Sequence, residues 1–231
     1  MRLSSAAPIL RPAPVLRFLL GILLPLVLVG MIAEDVLEQQ RFAFETPLLT
    51  WIHAHSSPAL TSMSVFLHTF GGPVPMGAVF MVIVLGLRFM QRRPQALFAL
   101  LGLGSAVGIA FGMKVLFHRP RPELWTRLVS ESGPSFPSGH TTVAAALVTF
   151  VVLLAWHSSW RWPALVLGVV YAGLMGYSRL VLGVHFPTDV LAGWLTGVAC
   201  VLGAYSLLGT RLRPAVEPVM EGHAAQDRRI P

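Results

Sequence analysis

Two histidines stand where a polar segment meets an apolar one, and the residues around them are types that hold or move charge. His185 belongs to Ser178-Arg179-Leu-Val-Leu-Gly-Val-His185-Phe-Pro187-Thr-Asp189. Pro187 suits the first turn of a helix, so His185 stands just ahead of that helix and Asp189 falls inside its opening turn. A carboxylate there can hold the imidazole in one tautomer and leave the other ring nitrogen as a lone-pair nucleophile or base. His140 closes Phe136-Pro137-Ser138-Gly139-His140, in which Ser138 reads as a helix N-cap and Gly139 lets backbone approach a ligand closely. Free amides at such a helix start form an anion site. A third run, Lys114-Val-Leu-Phe-His-Arg-Pro-Arg121-Pro122, contains the chain's one lysine, in a protein that otherwise takes positive charge from sixteen arginines. Each run also has a plain structural reading: a lysine snorkelling to headgroups, or a capped helix with an interfacial histidine.

The elements that must position these residues are membrane helices. The chain of 231 residues is 55% apolar and 12% charged, and its apolar residues come in blocks, which excludes an ordinary soluble domain. A bilayer core needs roughly 20 apolar residues per helix, and six segments qualify: 15–33, 73–90, 95–117, 139–157, 162–182 and 188–209. The first is read as an uncleaved helix, because Met31-Ile32-Ala33 runs straight into Glu34 and Asp35 without a small-x-small site. Leu60, Met63, Phe66, Leu67 and Phe70 fall at helical spacing in an otherwise polar stretch, which suits a helix lying in the interface or extending the second span. The expected fold is all-α: a six-transmembrane-helix bundle with interfacial helices between the first two spans. Residues 1–212 form one membrane domain in this reading, and 213–231 a mobile cytoplasmic tail.

Charge placement predicts sidedness. With the N-terminus inside, eleven arginines and three carboxylates fall on the cytoplasmic side, against six cations and seven carboxylates outside. Both termini should then face the cytoplasm, and the three polar runs the extracytoplasmic side of what reads as a bacterial plasma membrane. The basic pI does not point to nucleic acid, since there is no basic run with interleaved aromatics. Cys200, the one cysteine, excludes an internal disulfide and a cysteine-based zinc site.

Lys-x6-Arg-Pro, Pro-Ser-Gly-His and Ser-Arg-x5-His-x3-Asp, in this order, resemble the three signature motifs of the type 2 phosphatidic acid phosphatases. The resemblance runs from Lys114 to Asp189 without a departure. It implies that His185 attacks phosphorus and becomes a phosphohistidine, that Asp189 orients it, and that His140 protonates the departing oxygen. Lys114, Arg121 and Arg179 would hold the phosphoryl oxygens, helped by Ser138 and the Gly139 amide. Phosphoryl transfer asks the protein mainly for positioning and for fixed positive charge, which two guanidinium groups and an ammonium supply. No metal and no cofactor are expected, because beyond Asp189 the motif side offers only Glu123 and Glu131 near the site. The implied partners are a lipid phosphate and the surrounding membrane lipids; undecaprenyl diphosphate is favoured, with phosphatidylglycerol phosphate and phosphatidate next. A soluble phosphate ester as substrate and a non-catalytic headgroup binder or transporter are the alternatives.

Several residues are set aside at this level. His118 and Arg119 lie within the first motif but are not specified by it. His53, His55, His68, His157 and His223 read as solvated or interfacial. The segment from Glu123 to Phe136, with Leu124, Trp125 and Val129, is long and apolar enough to cover the site and touch substrate. His185 neutral and His140 protonated would give a bell-shaped pH profile.

Overall fold

A computed structural model describes residues 15–212 apart from 17, 40 and 41, so the expected tail at 213–231 lies outside the described residues. Among these residues every regular element is helical. They are α1 (Leu19–Leu37, opening in a π-helical turn), α2 (Glu45–Ala54), α3 (Pro58–Phe70) and α4 (Pro73–Phe89). After them come α5 (Arg93–Phe117), α6 (Gly139–Ala155), α7 (Arg161–Val181) and α8 (Pro187–Leu212).

Local chemistry sets the boundaries. Proline occupies the first turn of α3, α4 and α5 and opens α8, where its missing N–H costs no hydrogen bond. Ser57 caps α3 by accepting the Leu60 amide at 3.2 Å. The last helical residue of α5 is followed by His118 in the left-handed region (φ +48°), which turns the chain sharply out of the span.

Taken singly, α1, α5, α7 and α8 are long and apolar enough to cross a bilayer. The two other expected spans, α4 and α6, are helices of 17 residues. α4 forms a bent pair with α3, at 54° across Gly71 and Gly72. The protein is an integral membrane protein, and its first helix continues past residue 33, the sequence-based limit, to Leu37. Between α1 and α4 lie two helices, α2 and α3, of which the apolar spacing had indicated only α3.

The bundle is built around α8. Phe98, Leu103 and Ala106 of α5, Ala146 and Phe150 of α6, and Val201, Ala204 and Leu208 of α8 form one buried cluster. Val29, Ala33 and Val36 of α1 pack against Ala192 of α8 and Phe136 in a second. A side chain at Gly193 or Gly197 would overlap the opening turns of α6, so α6 and α8 meet almost backbone to backbone. Small residues permit such contact in a membrane, where lipid is as apolar as leucine and close packing supplies the attraction. The two helix starts are tied by a hydrogen bond from the Ser138 amide to the Asp189 carbonyl at 3.0 Å. Large apolar side chains such as Phe111, Leu167 and Leu207 are exposed around the bundle, as expected of surfaces that face lipid.

Candidate active site

Four helix ends converge: the C-terminal turns of α5 and α7 and the paired N-termini of α6 and α8. Arg179, in the last turn of α7, is fully buried. Its Nε and one terminal nitrogen each lie 3.1 Å from Ser178 Oγ, and the other terminal nitrogen lies 3.0 Å from His68 Nδ1. Arg121 reaches in from the non-helical segment after α5. It donates to the Val184 carbonyl at 2.9 Å and stands 3.2 Å from His185 Nε2. Lys114 Nζ donates to the Pro134 carbonyl at 2.6 Å and closes the third side.

A carboxylate occupies the middle of these cations. Glu131 Oε2 is 3.3 Å from Arg121, and Oε1 is 3.7 Å from Arg179, 3.4 Å from His68 Nδ1 and 3.6 Å from His140 Nδ1. Most of these contacts are too long for well-formed hydrogen bonds, and Oε1 is buried with no hydrogen-bond partner. Ser138 stands at the N-cap position, but its buried hydroxyl makes no capping bond and has no partner. Its carbonyl accepts from Thr141 and Thr142 instead. In front of Gly139 a Cβ would meet nothing closer than the Lys114 Cε at 3.9 Å. The pocket is therefore a cationic seat with room and unspent polar atoms.

His140 is fixed from α3. Its Nε2 lies 3.3 Å from the His68 carbonyl and its ring stacks on the His68 ring, with centroids 5.4 Å apart. Donation from Nε2 to that carbonyl leaves Nδ1 facing the seat, 3.6 Å from the Glu131 oxygen. His185 presents the opposite nitrogen. Its Nδ1 stands 3.5 Å from Asp189 Oδ2, within pairing range but longer than a good hydrogen bond, and Nε2 faces Arg121. Burial pushes the His185 imidazole down to about 4, an effect that the nearby Asp189 opposes, so the ring is neutral at ordinary pH.

Behind Asp189 the contacts are short. Oδ2 accepts the Phe186 amide at 2.8 Å, and Oδ1 accepts from Arg119 at 2.6 Å. The same guanidinium donates to Thr188 Oγ1 at 2.8 Å and to Glu45 Oε2 at 2.7 Å, and lies 4.3 Å over the Phe186 ring. Glu45 Oε1 accepts from the Thr188 hydroxyl at 2.5 Å and its amide at 3.2 Å. Burial pushes the Glu45 carboxyl up, and its contacts with Thr188 and Arg119 oppose that.

All eight residues singled out from the motifs lie at this convergence, and four others share it. Arg119, left out of the core site, is buried against Asp189. His68, read as interfacial, holds both Arg179 and His140. Glu131 sits in the seat, and Glu45 arrives from α2. Ser64, one helical turn before His68 on α3, places its carbonyl 3.4 Å from Arg179. Nothing local marks Glu45, which meets partners more than seventy residues away. Trp125 packs over Gly183, whose φ of +65° makes the turn before His185, and stacks on His53 at 4.1 Å. The covering segment is thereby pinned beside the site. His68, Glu131 and His140 offer ligand atoms within 4.8 Å of one another, but two guanidinium groups beside the same carboxylate make the seat favour an anion over a cation.

Residues 95–213 match the PAP2 superfamily. An undecaprenyl-diphosphatase of Sulfolobus acidocaldarius is 28% identical over 167 residues, which cover 69% of this chain and 76% of that protein. Phosphatidylglycerophosphatase B of Bacillus subtilis is 34% identical over 122 residues, 51% of this chain and 60% of that one. The crystal structure of a transmembrane PAP2-type phosphatidylglycerolphosphate phosphatase from Bacillus subtilis superposes with a TM-score of 0.69 at 25% identity, covering 87% of this chain and 98% of that chain. With over half the chain matched and the helices arranged alike, this integral membrane protein belongs to the PAP2 superfamily and is a lipid phosphate phosphatase.

Proposed function

We propose that the enzyme hydrolyses a lipid phosphate through a phosphohistidine on His185, with undecaprenyl diphosphate the favoured substrate and phosphatidylglycerol phosphate and phosphatidate next. The observation that carries this reading is the Glu131 carboxylate, an anion held among Arg121, Arg179, His68 and His140, beside a neutral buried imidazole. A substrate phosphoryl group takes the place of that carboxylate. Arg121, Arg179 and Lys114 hold its oxygens, with the Ser138 hydroxyl and the Gly139 amide adding donors. His185 Nε2 then attacks phosphorus while the bond to the leaving oxygen breaks, and His140, protonated on both ring nitrogens beside the bound phosphate, delivers its Nδ1 proton to that oxygen. Positive charge gathering on the His185 ring is met by Asp189 across Nδ1. In the second half, water attacks the phosphohistidine as His140 accepts its proton, freeing inorganic phosphate and restoring His185. With a diphosphate substrate the first leaving group is the lipid monophosphate.

The distribution of arginines supports a site on the extracytoplasmic face of a bacterial plasma membrane, with both termini in the cytoplasm. The test is phosphate release by purified protein in detergent, with a chelator present, from undecaprenyl diphosphate, phosphatidylglycerol phosphate, phosphatidate and a soluble ester. Release should occur, rank the lipids above the ester and vanish in His185→Ala. No release from any of the four, or release that survives the substitution, would reject the reading.

A further inference from the structure

Glu45 and Arg119 lie outside the three motifs, yet with Asp189 and Thr188 they form a closely paired polar cluster. One guanidinium is shared by two buried carboxylates, Glu45 at 2.7 Å and Asp189 at 2.6 Å, and Thr188 closes the ring between them. Burying three charges and a hydroxyl is costly unless every member is paired, and here each is. Such a cluster is also stiff, and its stiffness falls on one atom in particular. With Oδ1 held by Arg119 and Oδ2 by the Phe186 amide, the Asp189 carboxylate cannot turn, so Oδ2 stays aimed at His185 Nδ1 across a longer contact of 3.5 Å.

We propose that Glu45 and Arg119 are positioning residues of the phosphatase reaction, fixing the Asp189 carboxylate and through it the His185 ring. The proposal rests on the phosphohistidine reading above. Neither residue reaches the anion seat, whose contacts are made by Arg121, Arg179, His68 and His140. Their loss should therefore leave phosphate binding intact while slowing the chemical step. Glu45→Gln keeps the shape but turns one acceptor into a donor, which must then face either the guanidinium or the Thr188 N–H and O–H. Arg119→Ala frees the Asp189 carboxylate on one side. A misplacement of about 1 Å at a reacting group costs on the order of 100-fold.

The deciding experiment is a double-mutant cycle on phosphate release, using the most rapidly hydrolysed of the four phosphates named above. Glu45→Gln should lower kcat about 10-fold and Arg119→Ala about 100-fold, with KM and the inhibition constant of inorganic phosphate within about twofold of the unchanged protein. Arg119→Lys should recover part of the loss. Orthovanadate, which must be engaged by His185 as well as by the cations, should bind more weakly to both variants. In an Asp189→Asn background neither substitution should cost more than about twofold, because a residue acting through Asp189 has nothing left to act on. Equal losses on both backgrounds, or a raised KM with kcat unchanged, would overturn the clamp while leaving the phosphohistidine reading intact. Release that persists in His185→Ala would overturn both. Should Arg119→Ala fail to fold with two buried carboxylates unpaired, Glu45→Gln alone and combined with Asp189→Asn decides the same question.

Discussion

The front and the back of this active site are built to opposite standards. In front, around Glu131, the contacts with Arg121, Arg179, His68 and His140 run from 3.3 to 3.7 Å, and the Glu131 and Ser138 oxygens are buried without hydrogen bonds. Behind, around Arg119, the contacts with Asp189, Glu45 and Thr188 run from 2.6 to 2.8 Å and every charged group is matched. A buried polar atom without a partner costs roughly 1–3 kcal/mol, so the front keeps its hydrogen-bonding capacity for something that arrives later. The back has already used its own, holding the Asp189 carboxylate in one direction. His185 lies on the seam, its Nε2 toward the loose side and its Nδ1 toward the tight one.

Breaking the link across that seam should have the largest effect. Asp189→Asn leaves the seat intact but removes the charge opposite Nδ1, and kcat should fall about 1,000-fold with phosphate inhibition unchanged. A matching rise in the phosphate inhibition constant would mean that front and back are one unit. Arg179→Lys replaces a buried fork that meets Ser178 and His68 with a single ammonium, and should cost about 100-fold in kcat/KM. Stopped assays of phosphate release across substrate concentration would measure it.

The pH dependence sharpens the contrast further. In the proposed reaction His185 must be neutral to attack, and burial pushes its ring down to about 4, so kcat/KM should hold level from pH 6.5 to 5 and fall only as pH drops through about 4. An unburied histidine would lose about 16-fold over that same interval. The same depressed value lets the unfolded chain bind the proton first, so stability from this group is present above about 6.5 and declines toward 4. A smaller effect of opposite sign belongs to Glu131. Glu131→Gln removes the resident negative charge, and inorganic phosphate should inhibit about fivefold more tightly. An unchanged inhibition constant would show that the carboxylate leaves the seat at no cost. Trp125→Ala should alter relative rates among lipid substrates by about twofold or more, since the ring is wedged at Gly183 next to His185; unchanged ratios would limit Trp125 to structural packing.

What the sequence disclosed divides along the same seam. Lys114, Arg121, Ser138, Gly139, His140, Arg179, His185 and Asp189 were legible because short spacings tie each to a helix end, and apolar blocks reveal where helices end. Glu45 and His68 were not, because each acts through contacts that close over long stretches of chain, and no local pattern records such a contact. Glu131 was visible as a carboxylate near the motifs, but its place in the seat follows from the path of the segment between α5 and α6. That path is set by bonds from Ser135 to the Arg119 and Pro120 carbonyls, which periodicity cannot foresee. The four described helices long and apolar enough to cross a bilayer singly followed from composition, while α2 is too short and too mixed in polarity to announce itself.

Where the family match begins has a practical consequence. It starts at residue 95, yet Glu45, Ser64 and His68 enter the site from earlier helices. A chimaera that joined residues 95–213 to the N-terminal helices of another phosphatase would inherit His185, His140, Lys114, Arg121 and Arg179. It would not inherit the side chains that brace them, so compatibility between the two halves becomes a heritable trait in its own right, and exchange between relatives should succeed only where both halves travel together.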